Sequence, residues 1–128
     1  MIDFKIKGLK VHKASYVWPL LALTFVNLAT SYAIADTVSD EVNTHVLQAQ
    51  ILLQQQEYKK AAAEYRQAAE LSRNIDVAKK ATRVAFSYGF NEDAIRSAQR
   101  WLQLDENSDE ALLYVAQLQL RLGAIKAS

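Results

Sequence analysis

Two short stretches of this chain recur at a fixed interval, and that recurrence limits the fold more than any other feature. Gln56-Glu57-Tyr58-Lys59-Lys60-Ala61 is answered 33 residues later by Gly89-Phe90-Asn91-Glu92-Asp93-Ala94. Gly123 stands a further 34 residues on, and the small residues Ala49, Thr82 and Ala116 keep the same two spacings. A period of this length is one supersecondary unit, which cannot bury its apolar face alone and must stack on its neighbours. Small residues recur because two helices approach closely only where a side chain is nearly absent. Large ones such as Tyr65 then fill the adjacent gap.

The units are helical. Ala, Leu, Gln, Glu, Lys and Arg dominate, whereas the chain holds only 3 Gly and 1 Pro, too few for the tight turns of a β-rich fold. Ser39 before Asp40-Glu41, Asn74 before Asp76, Asn91 before Glu92-Asp93 and Ser108 before Asp109-Glu110 each offer an N-cap side chain. Each also sets acids in a first turn, where the helix dipole favours them. Gly89 and Gly123 lie where helices should stop in a left-handed residue. The pattern predicts helices over 40–55, 57–72, 75–88, 92–104 and 109–122, antiparallel to their neighbours because the connections are short.

The first 35 residues have a different character. Lys5, Lys7, Lys10 and Lys13 face a single acid, Asp3, and residues 14–35 carry no charge. The strongly apolar part, about Tyr16 to Leu28, is short for a membrane span and suits a signal-peptide core. Ala33-Ile34-Ala35 places small residues at the two recognition positions of signal peptidase, so cleavage after Ala35 is expected. The competing reading is an uncleaved anchor across 14–35. On either reading the lysines stay cytoplasmic and the rest is exported, to the periplasm or a periplasmic membrane face. The expected organisation is a signal peptide or anchor over 1–35 and a helical domain over 36–128.

The body resembles tetratricopeptide repeats. YKKAAAEYRQAAEL, residues 58–71, is similar to the second helix of that repeat through Tyr58, Ala61, Tyr65 and Ala68, and NEDAIRSAQRWLQLD, 91–105, through Ala94, Ala98 and its L-x-L-D ending. Trp101 departs from the pattern, standing where Ala is usual, and the closing Pro is replaced by Arg73 and Glu106. The resemblance covers about residues 42–128 and implies an antiparallel helix-pair solenoid, a superhelix of about two and a half repeats that is cut off in its third. The continuation of a longer chain would cover the open end, or else a second copy. DVAKKATRVAFSYGFNEDAIRSAQRWLQLD, 76–105, is similar to proteobacterial exported repeat proteins that include the adaptor of a periplasmic carboxyl-terminal processing protease. That adaptor is a lipoprotein, and this chain has no cysteine to carry a lipid.

Chemistry has little to stand on in this sequence. With no cysteine there is no disulfide, thiolate metal site or thiol nucleophile. His45 has no second histidine three or four residues away and is read as a packing residue of a first helix. Trp101 is read as core, Lys59-Lys60 and Lys79-Lys80 as solvated faces. No enzyme activity and no cofactor are expected. Beyond residue 35 there are 11 Lys+Arg against 13 Asp+Glu, so nucleic acid is not the expected partner, and a membrane enters only through residues 14–35 if they are retained. The expected partners are other proteins: envelope proteins and a periplasmic protease. The resemblance implies that first helices line a concave surface, here through Gln50, Leu53, Gln54, Lys79, Arg83, Phe86, Leu113, Gln117, Leu120 and Arg121. Amides and cations among scattered apolar groups suit an extended peptide or an acidic C-terminus. The expected role is an extracytoplasmic scaffold or adaptor, with a membrane-tethered structural subunit of an envelope assembly, such as a pilus or secretion machine, as the alternative.

Overall fold

Five α-helices account for nearly all of residues 34–128, which are the residues described by the computed structural model, and no strand occurs among them. Helix α1 spans 34–54, α2 Tyr58–Leu71, α3 Ile75–Ser87, α4 Asn91–Leu104 and α5 Asp109–Ala127. The all-α class expected from composition and periodicity is the class observed. The basic segment, most of the uncharged stretch and Ala33 lie outside the described residues. Val38–Ser128 form one compact unit; of the other, Met1–Thr37, only the exposed first turn of α1 is described. Among the described residues no helix is long and apolar enough to cross a membrane.

The middle helices lie within one residue of their expected ends, and side-chain caps open α3 and α5. Asn74 Oδ1 accepts the Asp76 N–H at 2.9 Å, and Ser108 Oγ accepts the Ala111 N–H at 3.2 Å. Three expectations require correction. Ser39 lies inside α1 and caps nothing, because the Ile34, Val38, Val42 stripe continues the helical period upstream of it. Asn91 is the first residue of α4 rather than its cap, since the Phe90 carbonyl already accepts the Ala94 N–H at 2.9 Å. Gly123 does not stop α5, which runs on to Ala127. A glycine inside a helix costs only about 1 kcal/mol against alanine, and Ala124, Ile125, Lys126 and Ala127 after it all sustain a helix.

The two turns read as equivalent in the sequence are equivalent in their hydrogen bonds. After α1, the Gln56 N–H reaches Leu53 O and the Glu57 N–H reaches Leu52 O, at 3.1 and 2.9 Å. After α3, Gly89 reaches Phe86 O and Phe90 reaches Ala85 O, at 3.2 and 2.9 Å. Both are Schellman closures around a left-handed residue, with φ of 63° at Gln56 and 78° at Gly89. Glycine adopts that backbone freely and glutamine does not. Gln56→Gly is therefore expected to raise the unfolding free energy by about 0.5–1 kcal/mol, and Gly89→Ala to lower it by about 1–2 kcal/mol. No atom lies within 4 Å of a Cβ built at Gly89, so the loss there would be backbone strain alone. Paired urea titrations followed by far-UV circular dichroism would check both signs.

Helix α2 packs on α3 and α4, α3 on α4, and α4 on α5. The interior has two clusters built largely from alanine. Ala49, Tyr65, Ala69, Ala78, Ala81, Val84, Trp101 and Ala111 form the first, and Ala62, Ala85, Ala94, Ala98 and Leu118 the second. The small residues let backbones close up, while Tyr65 and Trp101 supply the volume. Ala49 and Thr82 are fully buried, but Ala116, which follows at the same interval, is exposed.

Polar ties hold α2 to α4. Arg66 Nε donates to Asp93 Oδ1 at 2.7 Å and Arg66 Nη1 to the Glu70 carboxylate at 3.0 Å, while Arg96 reaches Glu70 at 2.7 Å. Burial works against the Arg66 charge, yet its hydrogen bonds with Asp93 and Glu70 outweigh that and hold its pKa above the ordinary value. Arg100 donates to Ala69 O and Ser72 O, at 3.2 and 2.9 Å, closing the carbonyl end of α2 with positive charge.

Candidate functional site

The residues expected to line one surface come from α1, α3 and α5. On α1, Gln50 and Gln54 are exposed, and Leu53 is half-buried against the first cluster. Gln50 turns toward Tyr65. Burial pushes the Tyr65 hydroxyl above its ordinary pKa of 10.0, and the hydrogen bond with Gln50 pulls the other way. A raised acid keeps its full contribution to stability below the unfolded pKa and loses it as pH climbs through the folded one. The fold should therefore weaken in the alkaline range above about pH 10, and Tyr65→Phe should flatten that part of the profile. Thermal melts of both proteins between neutral and alkaline pH would show the difference.

The α3 and α5 residues converge more closely. Lys79 Nζ stands 5.4 Å and Arg83 Cζ 5.9 Å from the Trp101 ring. Tyr114 lies between them and Phe86, with ring centroids 6.0 Å from Trp101 and 5.0 Å from Phe86, the latter edge-on at 77°. Arg121 lies over the Phe86 ring, its Cζ 4.2 Å from the centroid. Three cations thus rest on a floor of three aromatic side chains, an arrangement worth about 0.5–2 kcal/mol per cation according to its solvation. Trp101 is 1% exposed, as expected of a core residue, but its Nε1 has no hydrogen-bond partner.

Leu113, Gln117 and Leu120 follow at helical spacing on the same side of α5 as Arg121, and all are exposed. The structure brings Lys79, Arg83, Phe86 and Arg121 to one place. Ala35, the described half of the expected cleavage pair, is exposed in the first turn of α1. His45 packs between α1 and α2, with Nδ1 2.6 Å from Glu64 Oε2.

Neither a protein-family model nor a curated protein matches this chain.

Two residues of the site were not foreseen. Glu110 was explained by the helix dipole, yet its Oε1 accepts from Arg83 Nη2 at 2.9 Å and bridges α3 to α5. That hydrogen bond is the main reason the Arg83 pKa lies above its ordinary value. Both side chains are about half exposed, 53% and 47%, so the pair adds little to stability. Tyr114, which touches both Trp101 and Phe86, is the second. Glu110 lies one helical turn before Leu113 on the same side of α5, and that spacing was the available signal.

Proposed function

We propose that this chain is an extracytoplasmic scaffold of tetratricopeptide type, a stack of helix pairs that binds extended, acidic segments of envelope proteins. The stacked-repeat reading draws support from the recurrence of whole units. Helices α2 and α4 begin 33 residues apart, α3 and α5 begin 34 apart, and the two Schellman turns keep the first of these intervals. Export rests on the basic start and uncharged stretch of the first 35 residues. A periplasmic protease as the partner rests on the resemblance alone.

One observation carries the binding reading. Lys79, Arg83 and Arg121 are gathered over Trp101, Phe86 and Tyr114, and the only carboxylate on Arg83 among the described residues is half-exposed Glu110. A carboxylate from a peptide could take the place of Glu110 without uncovering a buried charge. The half-buried rings of Phe86 and Tyr114 would hold the peptide's apolar side chains, with Trp101 closed off beneath Lys79 and Arg83.

The test uses a fluorescein-labelled acidic peptide with a free C-terminus, followed by anisotropy at low salt. Lys79→Ala/Arg83→Ala should weaken binding about tenfold or more, and binding should fall with added salt. Glu110→Gln should tighten it about two- to fivefold by removing the internal competitor. Equal affinity in all three proteins would remove the groove from the proposal.

A second reading, a membrane-tethered structural subunit, draws on α1 running unbroken through Ala35 and Asp36, the expected cleavage point. Intact-mass measurement of the protein from envelope fractions separates the two. A mature start at Asp36 excludes the tether, and a retained first segment favours it.

A further inference from the structure

Helix α5 differs from the others in being apolar around most of its circumference. One side, with Ala111 and Leu118, enters the core, and a second side borders the groove. A third side has no cover among the described residues: Leu112 is 48% exposed there, and Ala116, Gln119 and Gly123 are open as well. No atom lies within 4 Å of a Cβ built at Gly123. A helix that is apolar around most of its circumference is ordinarily covered on more than one side.

The order of residues along this third side indicates what covers it. Asp109, Leu112, Ala116, Gln119, Gly123 and Lys126 follow at intervals of 3, 4, 3, 4 and 3, so they form one stripe that reads with the same spacing from either end. Reversed against itself, the stripe sets Asp109 opposite Lys126, Leu112 opposite Gly123, and Ala116 opposite Gln119. Every acid meets a base and every larger side chain meets a small one. We propose that α5 pairs antiparallel with α5 of a second copy of this chain, about a two-fold axis level with Gln117 and Leu118.

Self-complementarity of one patch is what a two-fold interface requires, and residue pairs then occur twice. The outer side of α1 is the other surface open to a second copy. Its exposed Leu47 and Ile51 stand among Asp40, Asn43 and Gln54, with no base to answer Asp109 and no glycine to receive Leu112. Charge and shape therefore favour α5 against α5 over stacking α1 on α5. This surface does not depend on the groove, since Lys79, Arg83 and Arg121 are not part of the stripe.

The chain has no cysteine, which makes the test position-specific. Leu112→Cys and Gly123→Cys are introduced separately into the full chain, and the two proteins are oxidised alone and mixed. In the antiparallel pair, residue 112 of one copy lies roughly 16 Å from residue 112 of the other, too far for a disulfide, but beside residue 123. The mixture should give a mixed disulfide dimer, and neither protein alone should couple. Asp109→Lys should raise the dimer dissociation constant roughly tenfold in sedimentation equilibrium, because two attractive pairs become repulsive. Adding Lys126→Asp should restore it. Coupling of Leu112→Cys with itself would overturn the antiparallel arrangement. Coupling through Leu47→Cys instead, or a monomer at roughly 100 µM, would overturn the interface.

Discussion

Trp101→Ala is expected to lower the unfolding free energy by about 3–5 kcal/mol, the largest single effect in this fold. Trp101 is 1% exposed and is the largest fully buried side chain among the described residues. Its neighbours in the first cluster, Ala78, Ala81 and Ala111, have no rotamers with which to fill the gap, so the cavity stays open. Domains of this size unfold at roughly 5–15 kcal/mol, so such a loss would bring the variant near its limit at body temperature. Trp101→Phe should cost less, about 1–2 kcal/mol, because most of the volume stays and the indole N–H forfeits no hydrogen bond. Urea denaturation followed by far-UV circular dichroism measures both. A loss below 1 kcal/mol for Trp101→Ala would mean that α3, α4 and α5 do not meet around the ring.

Ala98→Leu is expected to cost about 1–3 kcal/mol, although leucine is the more apolar residue. Ala98 is fully buried where α2, α3 and α5 approach α4, beside Ala62, Ala85, Ala94 and Leu118. Three added carbons have no space there unless a helix moves. Gln99→Leu, one position along and exposed, serves as the comparison, and its effect should stay within about 0.5 kcal/mol. If the two variants melt together, Ala98 does not mark a close helix crossing.

The two ends of α3 and the start of α5 were legible because they are decided within a few residues, by Asn74, by Gly89 with its turn and by Ser108. The start of α1 and the end of α5 were not. Ser39 and Gly123 are permissive signals, and each gave way to a helical period that continued past it. The Arg83–Glu110 and Arg66–Asp93 bridges were also out of reach, each joining residues 27 apart from two different helices. Only the packing of alternate helices brings those partners together. Lys79, Arg83, Phe86 and Arg121 could be placed on α3 and α5 from helical spacing, whereas the aromatic side chains that gather them could not. Trp101 arrives from α4, a helix that contributed no residue to the expected surface.

Alanine has no side-chain conformations to lose on burial and none to offer afterwards. Helices that meet through alanine can shift only as whole bodies, so little of this interior can reshape itself around a visitor. On the proposed reading, adjustment to different peptides would fall to the long arms of Lys79, Arg83 and Arg121, each swinging from a fixed mount. Such a surface would accept many sequences that carry negative charge at the correct distance and would discriminate poorly among their apolar residues.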